Sequence, residues 1–517
     1  MDQHLPTSVR TRVANAVDGT SRAVARRFEI DLRALAAFRI AVGTLIIVDL
    51  LLRSRSLTAF YTDAGVLPLE ALFADYSTVY SLHAVSGAAW VQALLFCVAG
   101  VVGLALVAGY RTRLATIVSW VLLVSLHIRN PMVLNSGDTL LRMLLFWGVF
   151  LPLGERWSID ARRFDRDRST VTSVGTMAVL LQVVLMYVTN AIHKSRSDVW
   201  MGGDALVEIF QADQLTILLG NVLADQLLLL RIGAYVWMAL ILASPLLLVL
   251  TGYRRAILAS CFIGMHLGML TMLQIGLFPL ISVAGLILFY PPVVWDRLTA
   301  LATRAGATPV LRRELSRLQR GVPRFSVSLL PSAREAGPSL TAIRGHSRVL
   351  FSTIVPWLFL SLVVLSNAAA VDYTEVPEPA EDVIDTAQAG QSWRMFAPNP
   401  TSDARWLVVP GELENGTKID VYHGSAVDWD RPPSVDKTYE TARWRKYVSN
   451  MRYAGNENHH SYFANYLCGR WNATHETGVE RVTVYGLTDR AAPYEEPDIA
   501  EYELLEYDCS GEFIQNE

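Results

Sequence analysis

The chain has 517 residues, 52% of them hydrophobic and 18% charged. Soluble domains carry roughly 25% charged residues, and apolar runs near 20 residues long recur along most of this chain, so composition excludes a wholly soluble protein and indicates a multi-span membrane protein. The net charge of −3 hides a split, because residues 1–371 hold 33 basic and 21 acidic side chains whereas residues 372–517 hold 12 and 27; such asymmetry separates compartments or partners and gives no sign of nucleic-acid binding.

Residues 1–32 are polar and Arg-rich, which predicts a cytoplasmic N-terminal segment rather than a removable signal peptide. Nine spans are predicted, at 33–52, 88–110, 114–128, 139–154, 173–193, 226–251, 256–273, 276–294 and 349–371. With the N-terminus inside, 24 basic residues fall in or next to inside loops and five outside, as the positive-inside rule requires. The expected fold is therefore a mainly α-helical multi-span membrane bundle with its C-terminus outside. A membrane domain at 33–298 leads to a basic cytoplasmic linker at 299–348, in which LRRELSRLQR (311–320) suits a short helix against anionic lipid or a solvated loop. The last helix, 349–371, leads to an extracytoplasmic domain at 372–517. There, after the Pro/acidic neck VPEPAEDV (376–383), alternation in TKIDVYH (417–423) and RVTVYGL (481–487) predicts a β-rich domain. Its two cysteines, Cys468 and Cys509, are placed for a disulfide on an oxidising side.

Charges inside spans are costly and face a bundle interior or a cavity. Arg39 and Asp49 in the first span are ten residues apart and need separate partners. Asp138 and Arg142 have i,i+4 spacing and are expected to pair along one helix face. His127, Asn135, Asp138, His193 and Lys194 all map to outer span ends, where together they are expected to line one outward-facing cavity. For each alone, a packing or anchoring role is the simpler reading.

Lys194 stands out. The chain has only four lysines, and the other three, Lys418, Lys437 and Lys446, lie beyond residue 371. Arginine stays protonated, whereas a desolvated lysine can act as a base. An interfacial lysine that snorkels to water, or one neutralised by Asp198, is the plainer alternative. His193 beside it, Trp200, Gly202 and Gly203 after it, and the amphipathic stretch 204–223, fit to roof a cavity, favour a site. Metal, phosphate-loop, nucleophile-elbow and dinucleotide motifs are absent from the sequence.

Several segments together resemble one family. FYTDAGVLP (60–68), HIRNPMVLNSGDTLLRMLLFWGVFLPLGERWSID (127–160), NAIHKS (190–195), HLGMLTMLQIGLFP (266–279), PPVVWDR (291–297) and SWRMFAPNP (392–400) are similar to the HTTM (horizontally transferred transmembrane) domain family, related to vitamin K-dependent γ-carboxylase. The resemblance implies a quinol-dependent membrane enzyme. A lumenal lysine, here Lys194, would deprotonate reduced vitamin K or menaquinol; oxygen would then convert the quinol to a strong base that abstracts a γ-proton from a glutamate-containing peptide or protein, carbon dioxide would be captured, and the epoxide would leave. The amine must be neutral for this role. Asn135 matches a family asparagine. Near Asp138 the carboxylase has a histidine, where this chain offers Gly137 and Asp138. On this reading Lys194, Asp138 and His193 are the catalytic candidates, and Asn135, His127, Arg142 and Trp200 the quinol-binding ones, with membrane lipid and isoprenoid quinol as partners, no metal and no nucleic acid. A non-enzymatic quinone- or lipid-binding scaffold, or a transporter, are the alternatives; a transporter would show paired broken helices in symmetric halves, which the sequence lacks.

Overall fold

The computed structural model describes residues 21–76, 79–163, 168–306, 346–347, 349–453, 455–490, 496 and 498–515. The linker segment 311–320 lies outside them. In chain order the principal helices of the N-terminal part are α1 (Leu32–Ser54), α2 (Ala89–Ala108), α3 (Thr112–Arg129), α4 (Ser136–Gly148), α5 (Val174–Ser195), α6 (Asp198–Gly202), α7 (Leu227–Leu242), α8 (Gly252–Met272), α9 (Phe278–Leu286), α10 (Pro292–Arg304) and α11 (Leu350–Ala370).

Six of these, α1, α2, α3, α5, α8 and α11, are long and apolar enough to cross a membrane. They coincide with six of the nine predicted spans. The other three differ for local reasons. Span 139–154 is the 13-residue α4, whose side chains are buried nearly all round, so it is a core helix. Span 226–251 holds α7, which stops short of Pro245 after 16 residues, about 24 Å against a ~30 Å hydrocarbon core. Span 276–294 turns through 103° between α9 with its 3-10 extension and α10, at Pro291-Pro292, where a helix cannot run on. Counting that bent pair as one span gives seven.

Helix starts follow the sequence closely. Asp31 caps α1 by accepting from the Arg33 amide, and α4 and α5 open with capping boxes, Asn135 with Asp138 and Ser173 with Thr176. Burial sorts the bundle: 72% of the α5 window is buried against 28% for α2 and α11, so α5 is its central helix. Trp90, Leu94, Val101 and Leu104 on α2, and Leu228, Leu229, Ile232 and Val236 on α7, are exposed, as lipid-facing residues would be. Arg39, buried in α1, donates to the Leu106 and Trp157 carbonyls at 3.2 and 2.6 Å, so its hydrogen-bond partners are backbone carbonyls. It passes so close to Gly109 (φ 68°) that a Cβ there would meet Arg39 Nη1 at 1.8 Å.

The C-terminal part begins with α12 (Glu378–Thr386), started by Pro379 and acidic in its first turn. An antiparallel five-stranded sheet follows, built from β1 (Ala404–Val408), β2 (Pro410–Leu413), β3 (Lys418–Asp420), β4 (Val479–Asp489) and β5 (Ile499–Asp508). β4 is central: β1 and β2 share one of its edges, β5 takes the other, and β3 pairs with β2. The two stretches of alternation read from the sequence fall on β3 and β4. The sequence reading omitted three helices here, α12 in the Pro/acidic neck, α13 (Ala442–Met451) and α14 (Asn458–Thr474). Cys468 in α14 and Cys509 after β5 form the expected disulfide.

Candidate functional site

Among the contacts between the C-terminal domain and the helical bundle, two regions differ in character. In the first, Arg443 of α13 reaches into the bundle. Its Nη2 donates to Asp49 Oδ1 at 2.7 Å and Asp138 Oδ1 at 2.8 Å, and its Nη1 to Asp138 Oδ2 at 2.9 Å. Arg53 completes the seam, donating to Asp49 at 2.7 Å, Asp138 at 2.5 Å and the Tyr61 hydroxyl at 2.6 Å. Two carboxylates and two guanidiniums thus neutralise each other in a buried place. His127 Nε2 lies 3.6 Å from Asp138 Oδ1, and Arg142 Nη1 lies 3.4 Å from His127 Nδ1. Asp138 therefore pairs with Arg53 and Arg443, not with Arg142 four residues on.

The second region is the end of α5. Here three side chains grip the segment Ser392–Phe396. Asn190 Nδ2 donates to the Trp393 carbonyl at 2.9 Å, His193 Nε2 lies 3.1 Å from the Ser392 carbonyl, and Trp200 Nε1 donates to the Phe396 carbonyl at 2.8 Å. The segment is held in an irregular conformation, with positive φ at Trp393, Met395 and Phe396. The SWRMF residues picked out in the sequence are thus bound directly by the NAIHK residues.

Lys194 sits between these contacts, fully buried in the last turn of α5. Its Nζ has no hydrogen-bond partner among the described residues. It lies 3.6 Å from the centre of the Trp200 ring and 4.4 Å from that of Trp237 on α7, a double indole contact. Asp198 is exposed and forms no described ion pair with it. Both plainer alternatives, a snorkelling lysine and an Asp198 pair, are therefore absent.

A cavity of about 600 Å³ lies beside this cluster. Asn135, Tyr187, Asn190, Trp237 and His266 line its bundle side, and Arg394, Met395 and Phe396 its other side. Gln214 and Leu215, from the stretch 204–223, form part of its wall, as that stretch was expected to do. Asn135 Oδ1 accepts from the Gly137 amide at 2.8 Å, and its Nδ2 donates to no described residue. Tyr187 and His266 Nε2 are 2.7 Å apart, and His266 Nδ1 has no described partner. Of the five residues expected to line one cavity, only Asn135 does so. His127 and Asp138 are in the buried ion seam, with Arg142 alongside. His193 holds Ser392, and Lys194 lies behind Trp237. Groups of His, Cys, Asp and Glu able to hold a metal ion are absent among the described residues.

The HTTM domain model matches residues 28–295, just over half of the chain. The chain belongs to the HTTM family. It is therefore a membrane protein of a family related to the vitamin K-dependent carboxylases. No curated protein and no solved structure is significantly similar to it. Part of the cavity lining and of the seam lies outside the matched residues, because Arg394, Met395 and Phe396 line the cavity and Arg443 closes the seam. Sequence reasoning missed Arg443, Trp237 and the Tyr187–His266 pair. Arg443 had a legible signal, since Arg443, Arg445 and Lys446 put three bases in four residues of a strongly acidic region. Trp237 had none, being one aromatic on an apolar helix.

Proposed function

We propose that this HTTM protein is a multi-pass cell-membrane enzyme of the vitamin K-dependent carboxylase type. On this reading its N-terminus is cytoplasmic, its C-terminal domain is extracytoplasmic, and nine segments enter the membrane, three of them short or broken. The site then opens at the outer face, where the loop arginines are scarce.

The residues present fit a quinol. The cavity falls within the roughly 300–1,000 Å³ usual for small-molecule sites. Its bundle side combines apolar side chains with a few polar groups, among them the free Asn135 amide nitrogen and the Tyr187–His266 pair. A bound menaquinol or vitamin K quinol would supply, with oxygen, the base strength needed to abstract a glutamyl γ-proton and let carbon dioxide add. The chain's own contribution is positioning and proton removal. Lys194 is the base and accepts a quinol hydroxyl proton at Nζ. Asn135 and His266 orient the ring. Trp237, which lines the cavity and also covers Nζ, is the partition that must turn aside for contact. Asn190, His193 and Trp200 fix the 392–396 wall. Asp138, with His127 and Arg142, positions the C-terminal domain through Arg443 and Arg53, which assigns Asp138 an anchoring role in place of acid or base chemistry.

The observation that carries this reading is Lys194: a fully buried amine with no described acceptor, one indole away from the cavity. The test supplies reduced menaquinone, oxygen, labelled carbon dioxide and glutamate-containing peptide to purified protein, and reads quinone epoxide and labelled product by mass spectrometry. Lys194→Ala is expected to lower epoxide formation at least about 100-fold, the scale of a general base; unchanged turnover would remove Lys194 from the role. The indole cover over Nζ favours one other reading, a quinone-binding scaffold without chemistry, and binding of quinol with no epoxide from the wild type would establish it.

A further inference from the structure

The cavity wall supplied by the C-terminal domain carries five cations: Arg394, Arg405, Arg445, Lys446 and Arg452. That is five of the 12 basic residues in a region holding 27 acids, yet no Asp or Glu lines the cavity. Among the described residues only Arg405 has an ion pair, with Asp403 at 3.1 Å. Arg445 donates to the Gln274 carbonyl at 2.7 Å and keeps a buried, unbonded Nε. The Arg452 guanidinium lies over Tyr502 at 4.6 Å. Burial and the neighbouring Arg445 push the Lys446 ammonium below the ordinary lysine range. Four like charges without an ion pair around one space repel one another, with only the more distant Asp138 and Asp403 carboxylates acting on Lys446 and Arg452, and that arrangement persists most readily where a ligand brings further negative charge.

The facing bundle side carries an apolar stripe, Trp237, Ile241, Met265, Met269, Ile275 and Phe278, beside the polar Asn135, Asn190, Tyr187 and His266. One wall thus suits an anion and the stripe on the other a hydrocarbon. A quinol is neutral and gives the cations nothing. A carboxylate brings one negative charge and two acceptor atoms. A phosphate monoester brings about 1.5 to 2 charges and three acceptor oxygens, and guanidiniums engage it through paired hydrogen bonds. We infer that the cavity binds a phosphate-headed lipid, its phosphate monoester or diphosphate held by Arg394, Arg445, Lys446 and Arg452 and its chain lying along the Trp237–Phe278 wall. This ligand goes beyond the quinol and is recognised by groups the quinol reading does not use.

The test titrates full-length protein in neutral maltoside micelles with dodecyl phosphate, dodecanoate, dodecanol and inorganic phosphate by calorimetry. Dodecyl phosphate is expected to bind at least tenfold tighter than dodecanoate or dodecanol and 100-fold tighter than inorganic phosphate. Arg394→Gln and Lys446→Gln remove cations with no described partner, so both variants keep the wild-type unfolding midpoint, and together they weaken dodecyl phosphate at least tenfold. Equal binding of dodecanoate or dodecanol, equal binding of inorganic phosphate, or wild-type affinity in the folded double variant would each overturn the inference. The epoxide assay is a separate readout, so failure here and failure of the quinol reading are distinguishable.

Discussion

The short helix α13 carries two kinds of basic side chain that behave oppositely. At Arg443 every charge has a counter-charge: Asp49, Asp138, Arg53 and Arg443 close on themselves. Two and three residues on, Arg445 and Lys446 turn to a cavity without acids. Lys194, across the cavity wall, also lacks an acceptor. A neutralised buried cluster fixes one structure, whereas unpaired charge beside a cavity is left for a ligand or a reaction. The difference separates anchoring residues from site residues where sequence position alone merges them.

The comparison breaks first at the seam. Arg443→Met strands two carboxylates with one arginine, and loss of one member of a buried ion network costs about 3–5 kcal/mol. Thermal unfolding in detergent should show a large fall in midpoint; a change under about 1 kcal/mol would mean that the seam does not hold the domains together. Next is the disulfide. Cys468 and Cys509 close a loop with a sequence separation of 41, so Cys468→Ser with Cys509→Ser should destabilise the C-terminal domain by about 2–4 kcal/mol, read as faster proteolysis of that domain with the bundle intact.

On the site side, stability effects should be small. Lys194→Met removes an amine that no described group bonds, and should shift stability by about 1 kcal/mol or less; a loss on the seam's scale would make Lys194 an anchor. The smallest effect concerns pH. Lys446 loses its proton below the ordinary value of 10.5 because burial and Arg445 disfavour the ammonium. Anion binding needs the charged form, so dodecyl phosphate binding is full at low pH and weakens as pH rises through the lowered value. The loss is about 1 kcal/mol, and Lys446→Gln abolishes that part of the pH dependence.

Much of the fold was legible because hydropathy is local: the long apolar runs became α1, α2, α3, α5, α8 and α11. The caps at Asn135 and Ser173 are equally local, but the sequence reading did not use them. Three predicted spans are shorter or broken helices, because apolar residues signal burial in protein as strongly as in lipid, as in α4, or because Pro291-Pro292 breaks a run. At the site, Lys194 was singled out by composition, and the structure buries it with Trp237 between its Nζ and the cavity. Asp138 was misread because its i,i+4 neighbour Arg142 was visible, whereas its partners Arg53 and Arg443 are 85 and 305 residues away. Trp237 was invisible for the same reason: only the tertiary fold lays that indole over Nζ.

The central claim is that paired ionisable groups anchor and unpaired ones beside the cavity work. Its most direct test is to measure the unfolding midpoint and the quinone epoxide yield together for Lys194→Met in the purified protein. The account predicts a midpoint close to wild type with epoxide formation lost. A variant that makes epoxide at the wild-type rate, or loses activity only because it unfolds, contradicts it.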